Sequence, residues 1–171
     1  MNLKRVKTAI DTLVEEFSKN NLGDPFRDVR LREALLADHL NHVLAPVGYP
    51  YDAFLKEETY EYKTISATRS ARYDVSWCET WQKQKKYLRE VKILPHKYHY
   101  LAKFSDRMEI EKIWRMTGEQ ALKILEPKLK KKFHQTTINK NGVLQAVITT
   151  NEFSVYGQQI FPAPTTLEMF F

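Results

Sequence analysis

One cysteine, Cys78, is present in 171 residues, so no disulfide framework and no cysteine-based zinc site can be built within the chain. That scarcity points to a reducing, intracellular compartment. No run of about 18 apolar residues occurs, which is the length a membrane-crossing helix needs. The opening MNLKRVKTAIDTLVEEF sets charges where a secretory leader requires an uninterrupted apolar stretch. A cytoplasmic protein with no membrane association is therefore expected. Internal repeats and low-complexity linkers are also lacking. Hydrophobic residues make up 43% and charged residues 28% of the chain, near the averages for folded globular proteins. The length suits one domain with its own core. Lys plus Arg outnumber Asp plus Glu by 27 to 21, a net charge of +6, which favours a polyanionic partner only modestly.

The hydrophobic pattern predicts a helix through Val6, Ile10, Leu13, Val14 and Phe17, stopped by Asn20, Asn21 and Gly23. A second helix is predicted from an Asp28 N-cap through Leu31, Leu35, Leu40 and Leu44, ending at Pro46. VGYPYDAFLKEE reads as a turn into an irregular strand or hairpin, and Thr59 to Ser66 reads as a strand. Ser76 and Glu79 have the spacing of a capping box opening a helix through WCETWQKQKKYLRE, and Thr117 with Gln120 forms another. The second of these helices should break or kink near Pro127. Tyr98 to Phe104 and Met108 to Met116 read as a hairpin, Val143 to Thr149 as a strand, and Phe153 to Phe161 as one more. This order predicts an α+β or mixed α/β domain.

The candidate chemistry lies at Asp52, Glu61 and Lys63. Side chains two apart on a strand point the same way, so Glu61 and Lys63 should emerge together while Tyr60 and Tyr62 pack on the other face. Hydrolysing a phosphodiester needs a cation to neutralise charge, an activated water and a stabilised leaving oxygen. Mg2+ takes one or two carboxylates and keeps several waters, so Asp52 and Glu61 suffice as protein ligands, with the Tyr62 carbonyl as a third. Lys63 would stand beside the water. The bare string of Asp, nine residues, Glu, one residue and Lys is weak, and a solvated strand face is the ordinary alternative.

The wider pattern is more specific. GDPFRDVRLREALL, YPYDAFLKEETYEYKTIS and YHYLAKFSDRMEIEKIWRMTGEQALKILEPKLKKKF stand in the order and at the separations that resemble the type II restriction endonucleases of the PD-(D/E)XK superfamily, in their PvuII-like branch, over roughly two thirds of the chain. The chain departs in having Pro50-Tyr51-Asp52 where an immediate Pro-Asp is usual. The resemblance implies a restriction-endonuclease-like fold, a central mixed sheet flanked by helices. It implies Mg2+, with Mn2+ as a substitute, held by Asp52 and Glu61, and Lys63 serving the attacking water. It also implies a homodimer acting on double-stranded DNA, with residues 1–22 as the dimerisation helix, 28–116 as the catalytic and DNA-reading core and 117–171 as the closing helix and strands. Asp28 matches a position that contacts DNA in the family.

The segment from Thr68 to Glu79 matches nothing in the family and lies where its members read bases. Thr68, Arg69, Arg72, Asp74 and Ser76 are accordingly expected at DNA, the arginines on guanine. Lys83 and Lys86 are expected on phosphates, against the plainer reading of a solvated helix face. The histidines at 96, 99 and 134 receive no role from the sequence, and Trp77, Trp81 and Trp114 read as core. The other readings are a structure-specific repair or junction nuclease or nickase of the same fold, and a non-catalytic DNA-binding protein whose Glu61 and Lys63 form a surface pair.

Overall fold

A computed structural model describes residues 2–26, 29–66, 70–135 and 143–162. The architecture is α+β, and its contacts gather the chain into two compact units, 1–59 and 60–171. In the first unit, helix α1 (Leu3–Lys19) starts at Asn2, whose side chain accepts from the Arg5 N–H at 3.2 Å. It ends because Asn21 adopts a left-handed φ of 52°, which lets the Asn21 and Leu22 amides bond back to the Ser18 and Phe17 carbonyls.

Helix α2 (Arg30–His39) is shorter than the apolar pattern predicts. Asn41, at φ 54°, repeats the same stop, with the Asn41 and His42 amides returning to Asp38 and Ala37. Val43 and Leu44 thus form strand β1 (Val43–Leu44), paired antiparallel with β2 (Ala53–Leu55). The N-cap is Val29, without a side-chain bond; the predicted cap, Asp28, lies outside the described residues. Arg30 holds this unit together. Its guanidinium donates to the Leu22 carbonyl, the Ala45 carbonyl and the buried Glu33 carboxylate at 2.7–2.9 Å.

The second unit takes up strand β3 (Glu58–Ile65) from Tyr60 onward. Beside it come β5 (His96–Phe104), β6 (Ile110–Met116) and β8 (Gln158–Phe161), in the order β3-β5-β6-β8. The predicted β5–β6 hairpin is present, with the Ser105 hydroxyl accepting from the Arg107 and Glu109 amides in its turn. A separate ribbon pairs β4 (Ser70–Ser76) with β7 (Val143–Thr149), from Ser70 opposite Thr149 to Ser76 opposite Val143. Strand β4 is missing from the sequence reading. Its alternation of buried Ala71, Tyr73 and Val75 with outward Arg72, Asp74 and Ser76 is a half-buried strand pattern hidden among polar residues.

Because Ser76 ends β4, it cannot cap the next helix. Helix α3 (Trp81–Tyr87) begins instead at Thr80, whose hydroxyl accepts from the Lys83 amide. Trp77 and Cys78 lie before it, and Trp77 stacks on Phe133 at 4.6 Å. From Leu88 to Ile93 the helix widens to a π-helix. Helix α4 (Gly118–Gln135) opens with the predicted Thr117–Gln120 capping box and runs unbroken past Pro127. Leu122, Leu125 and Leu129 bury one stripe across the proline, and this packing outweighs the missing N–H. Phe153 begins no strand. Helix α5 (Thr150–Tyr156) holds it in the core, opened by a Thr149–Glu152 capping box, and β8 follows. Gly157 joins the two where a Cβ would meet the Arg115 carbonyl oxygen at 2.5 Å. The core gathers Tyr73, Leu88, Ile93, Leu101, Met116, Leu125 and Ile148. No helix among the described residues is long and apolar enough to cross a membrane.

Candidate active site

Strand β3 brings Glu61 and Lys63 to the same side, as a two-residue step dictates. The Lys63 Nζ donates to Glu61 Oε1 at 2.6 Å. Tyr62, between them, is buried with its ring edge-on to Tyr100. Glu61 is only 4% exposed, and an isolated carboxylate at such a position would be expelled or protonated. One further cation answers it, and a histidine lies beside it. The Lys92 ammonium, carried on the π-helical turn, lies 3.9 Å from Oε1, and His96 Nε2 lies 3.8 Å from Oε2.

Burial pushes the Glu61 carboxyl up, but the Lys63 ammonium, then Lys92, outweigh it and hold it at about 2. The carboxylate is therefore ionised at neutral pH. Burial likewise lowers His96, and lowers His99 to about 4, so both rings are neutral. His99 Nε2 lies 3.1 Å from the Ile93 carbonyl, which accepts only from an N–H. Its Nδ1 is left as acceptor for the Tyr73 hydroxyl at 3.4 Å. The Tyr73 ring in turn lies under the Lys63 ammonium, 5.1 Å away, a cation–π contact that fixes where Lys63 points.

Two ammonium groups thus face the Glu61 carboxylate. The side chains of Lys63 and Lys92 are 22% and 28% exposed while that of Glu61 is 5% exposed. Lys92, His96, His99 and Tyr73 have no part in the sequence reading. The signal available for them is indirect: a Glu flanked by Tyr on a strand with both faces covered must be charge-balanced by something.

The remaining predicted residues are spread more widely. Asp52 belongs to the first unit, half-buried at the bend before β2, and its carbonyl accepts from the Ala45 amide at 2.9 Å. Asp28, Thr68 and Arg69 lie outside the described residues. Arg72, Asp74 and Ser76 share the outward face of β4, where Arg72 Nε pairs with Asp74 at 3.2 Å. Lys83 bonds Glu79 at 2.6 Å and Lys86 lies 3.9 Å from Glu90. These are exposed pairs of the weak kind that exchange readily for another anion.

Among the described residues no three His, Cys, Asp or Glu side chains converge as a metal cage. Mg2+ does not require one, since it binds through one or two carboxylates and retains water. Glu61, ionised and hard in its oxygen donors, suits that ion. No protein-family profile matches the chain. No curated protein sequence matches it either.

Proposed function

We propose that the chain is a Mg2+-dependent endonuclease that hydrolyses phosphodiester bonds in double-stranded DNA, acting in the cytoplasm as a type II restriction enzyme. What supports this reading above all is the pairing of Glu61 and Lys63 on one side of β3, Lys63 Nζ on Glu61 Oε1 at 2.6 Å, with a second ammonium beside them. Glu61 and the Tyr62 carbonyl would hold the metal, and Asp52 joins them on the sequence pattern alone. When bound, Mg2+ neutralises phosphate charge and makes its water more acidic; Mn2+ substitutes.

The chain's own groups do the rest. Lys63 Nζ donates hydrogen bonds that orient the attacking water, and Tyr73 beneath it keeps the ammonium in place. Lys92 draws a non-bridging phosphate oxygen toward its ammonium group. The water oxygen bonds to phosphorus and gives up a proton to solvent, the bond to the 3′ oxygen breaks and that oxygen takes a proton from solvent, and the products are a 5′-phosphate and a 3′-hydroxyl. Cutting both strands of a short palindromic site needs two such centres related by a two-fold axis, hence a homodimer. Arg72, Asp74 and Ser76 on the β4–β7 ribbon are the base-reading candidates, since a two-stranded ribbon fits the major groove.

The burial of Glu61 favours one rival, a structural ion pair in a DNA-binding protein without catalysis. Incubating supercoiled plasmid with the pure protein in Mg2+, in EDTA and with Asp52→Ala separates the two. Discrete linear fragments in Mg2+ alone, lost in the other two lanes, support the enzyme. Salt-dependent binding without cleavage selects the rival, and cutting confined to branched or flapped substrates selects a repair nuclease.

A further inference from the structure

Where β5, β6 and β8 meet the start of α4 lies a cleft of about 230 Å³, whose lining includes Tyr98, Arg115, Thr117, Gln120, Gly157 and Gln158. Arg115 is its one cation, and no acidic side chain lines it among the described residues. Glu119, the acid of the first turn of α4, bonds Arg89 at 3.2 Å instead. Arg30, Arg72 and Arg89 each pair with a carboxylate. Arg115 does not. Its Nε and Nη2 both donate to the neutral Gln158 Oε1, at 3.2 and 2.9 Å, and its guanidinium lies 4.8 Å from the centre of the Tyr98 ring. The ring holds the guanidinium in place, and the fork formed by Nη1 and the second Nη2 hydrogen is left to donate. Two neutral donors share the cleft. Gln120 Oε1 accepts from the Thr117 amide at 2.7 Å, which leaves its NH2 to donate, and the Thr117 hydroxyl accepts from the Gln120 amide at 3.3 Å and keeps its own hydrogen to give. The 18-residue helix that they cap adds the positive end of its dipole.

We infer that this cleft binds a small tetrahedral oxyanion, phosphate either free or as the monoester end of a small molecule, with Arg115 as its anchor. Donors on both β6 and the α4 cap suit three or more oxygens, whereas a carboxylate is satisfied by the arginine fork alone. The volume falls below the range of about 300–1,000 Å³ that larger organic ligands occupy. The site is also separate from Glu61. Tyr100 lies directly across from Arg115, and Arg115 from Gln158, so the three share one face of the sheet. The Tyr100 ring meets those of Tyr60 and Tyr62, which strand alternation turns away from Glu61 and Lys63. An anion at Arg115 is therefore not the scissile phosphate, and the inference stands apart from the proposed chemistry.

Isothermal titration calorimetry of the full chain, in phosphate-free buffer with EDTA, tests it with inorganic phosphate, glycerol phosphate and acetate as titrants. Phosphate should saturate a single site, and acetate should bind at least about tenfold more weakly. Tighter binding of glycerol phosphate assigns the cleft to a monoester, and equal or weaker binding assigns it to the free ion. Gln158→Glu, at an exposed position, sets a carboxylate against the guanidinium and should weaken phosphate binding at least about tenfold. Arg115→Met should do the same, with circular dichroism unchanged in both, while Lys92→Met, beside Glu61, should bind phosphate as the parent does. No saturation by about 10 mM phosphate overturns the inference. So does binding that either cleft variant keeps, binding that Lys92→Met removes, or acetate held as tightly as phosphate.

Discussion

Replacing Lys63 with Met removes the ammonium that lies 2.6 Å from Glu61 and leaves the carboxylate buried, with Lys92 at 3.9 Å as its nearest remaining cation. Breaking a buried pair on one side costs about 3–5 kcal/mol. Lys92 and the partial exposure of Lys63 bring this case below that range, to about 2–3 kcal/mol. The titration of Glu61 gives the same scale, since a folded value of about 2 against an ordinary 4.5 corresponds to about 3 kcal/mol of stability. Because that folded value is depressed, the contribution is present above pH 4.5 and is lost as pH falls toward 2. In Lys63→Met the buried carboxyl shifts upward and takes a proton, so acid relieves the variant while it weakens the parent.

Urea unfolding followed by tryptophan fluorescence, in EDTA, at pH 7 and pH 3.5 measures both effects. The variant should be about 2–3 kcal/mol less stable at pH 7, with a melting temperature lower by roughly 5–10 °C, and the gap should narrow in acid. The double variant Glu61→Gln/Lys63→Met should regain part of the loss because no buried charge is left unpaired. A loss at pH 7 within about 0.5 kcal/mol, the range of an ordinary surface change, would refute the reasoning, as would a gap that widens in acid.

Three more expectations follow from the same geometry. His99, held at about 4 mainly by burial, is neutral in the fold, so stability should decline as pH falls from 6.5 to 4, by about 3 kcal/mol in full; His99→Gln should flatten that slope, and an unchanged slope contradicts the assignment. Lys92→Met, which removes a charged hydrogen-bond donor worth about 1.5–3 kcal/mol, should slow cleavage by about tenfold to a hundredfold with the protein still folded. The Glu152 carboxylate receives Lys128 at 2.6 Å and the Thr149 amide at 2.8 Å, so Glu152→Ala should cost about 1–2 kcal/mol in thermal unfolding.

Much of this fold is legible in the sequence where one period dominates. The strand at Thr59 to Ser66, the hairpin around Ser105 and the Thr117–Gln120 cap are each set by local pattern and turn chemistry, and each is present. The failures have one physical source, tertiary packing or a single backbone torsion overruling an apolar period. Asn41 in the left-handed region ends α2 while its apolar pattern continues. Buried leucines on both sides of Pro127 hold α4 intact. Strand β4 is concealed because its outward residues are polar and its register comes from β7, about seventy positions away. At the site, the two-residue step from Glu61 to Lys63 is a local matter and can be read from the chain. The convergence of Lys92, His96 and His99 depends on how the π-helical turn meets β5, and no spacing in the sequence encodes that.

The most direct test compares the parent with Glu61→Gln on plasmid DNA in Mg2+ under single-turnover conditions, with both proteins verified as folded. The parent should convert supercoiled circles to defined linear products, and the variant, having lost the Glu61 carboxylate charge beside Lys63 and Lys92, should leave them intact. Equal cutting by the two proteins would contradict the account.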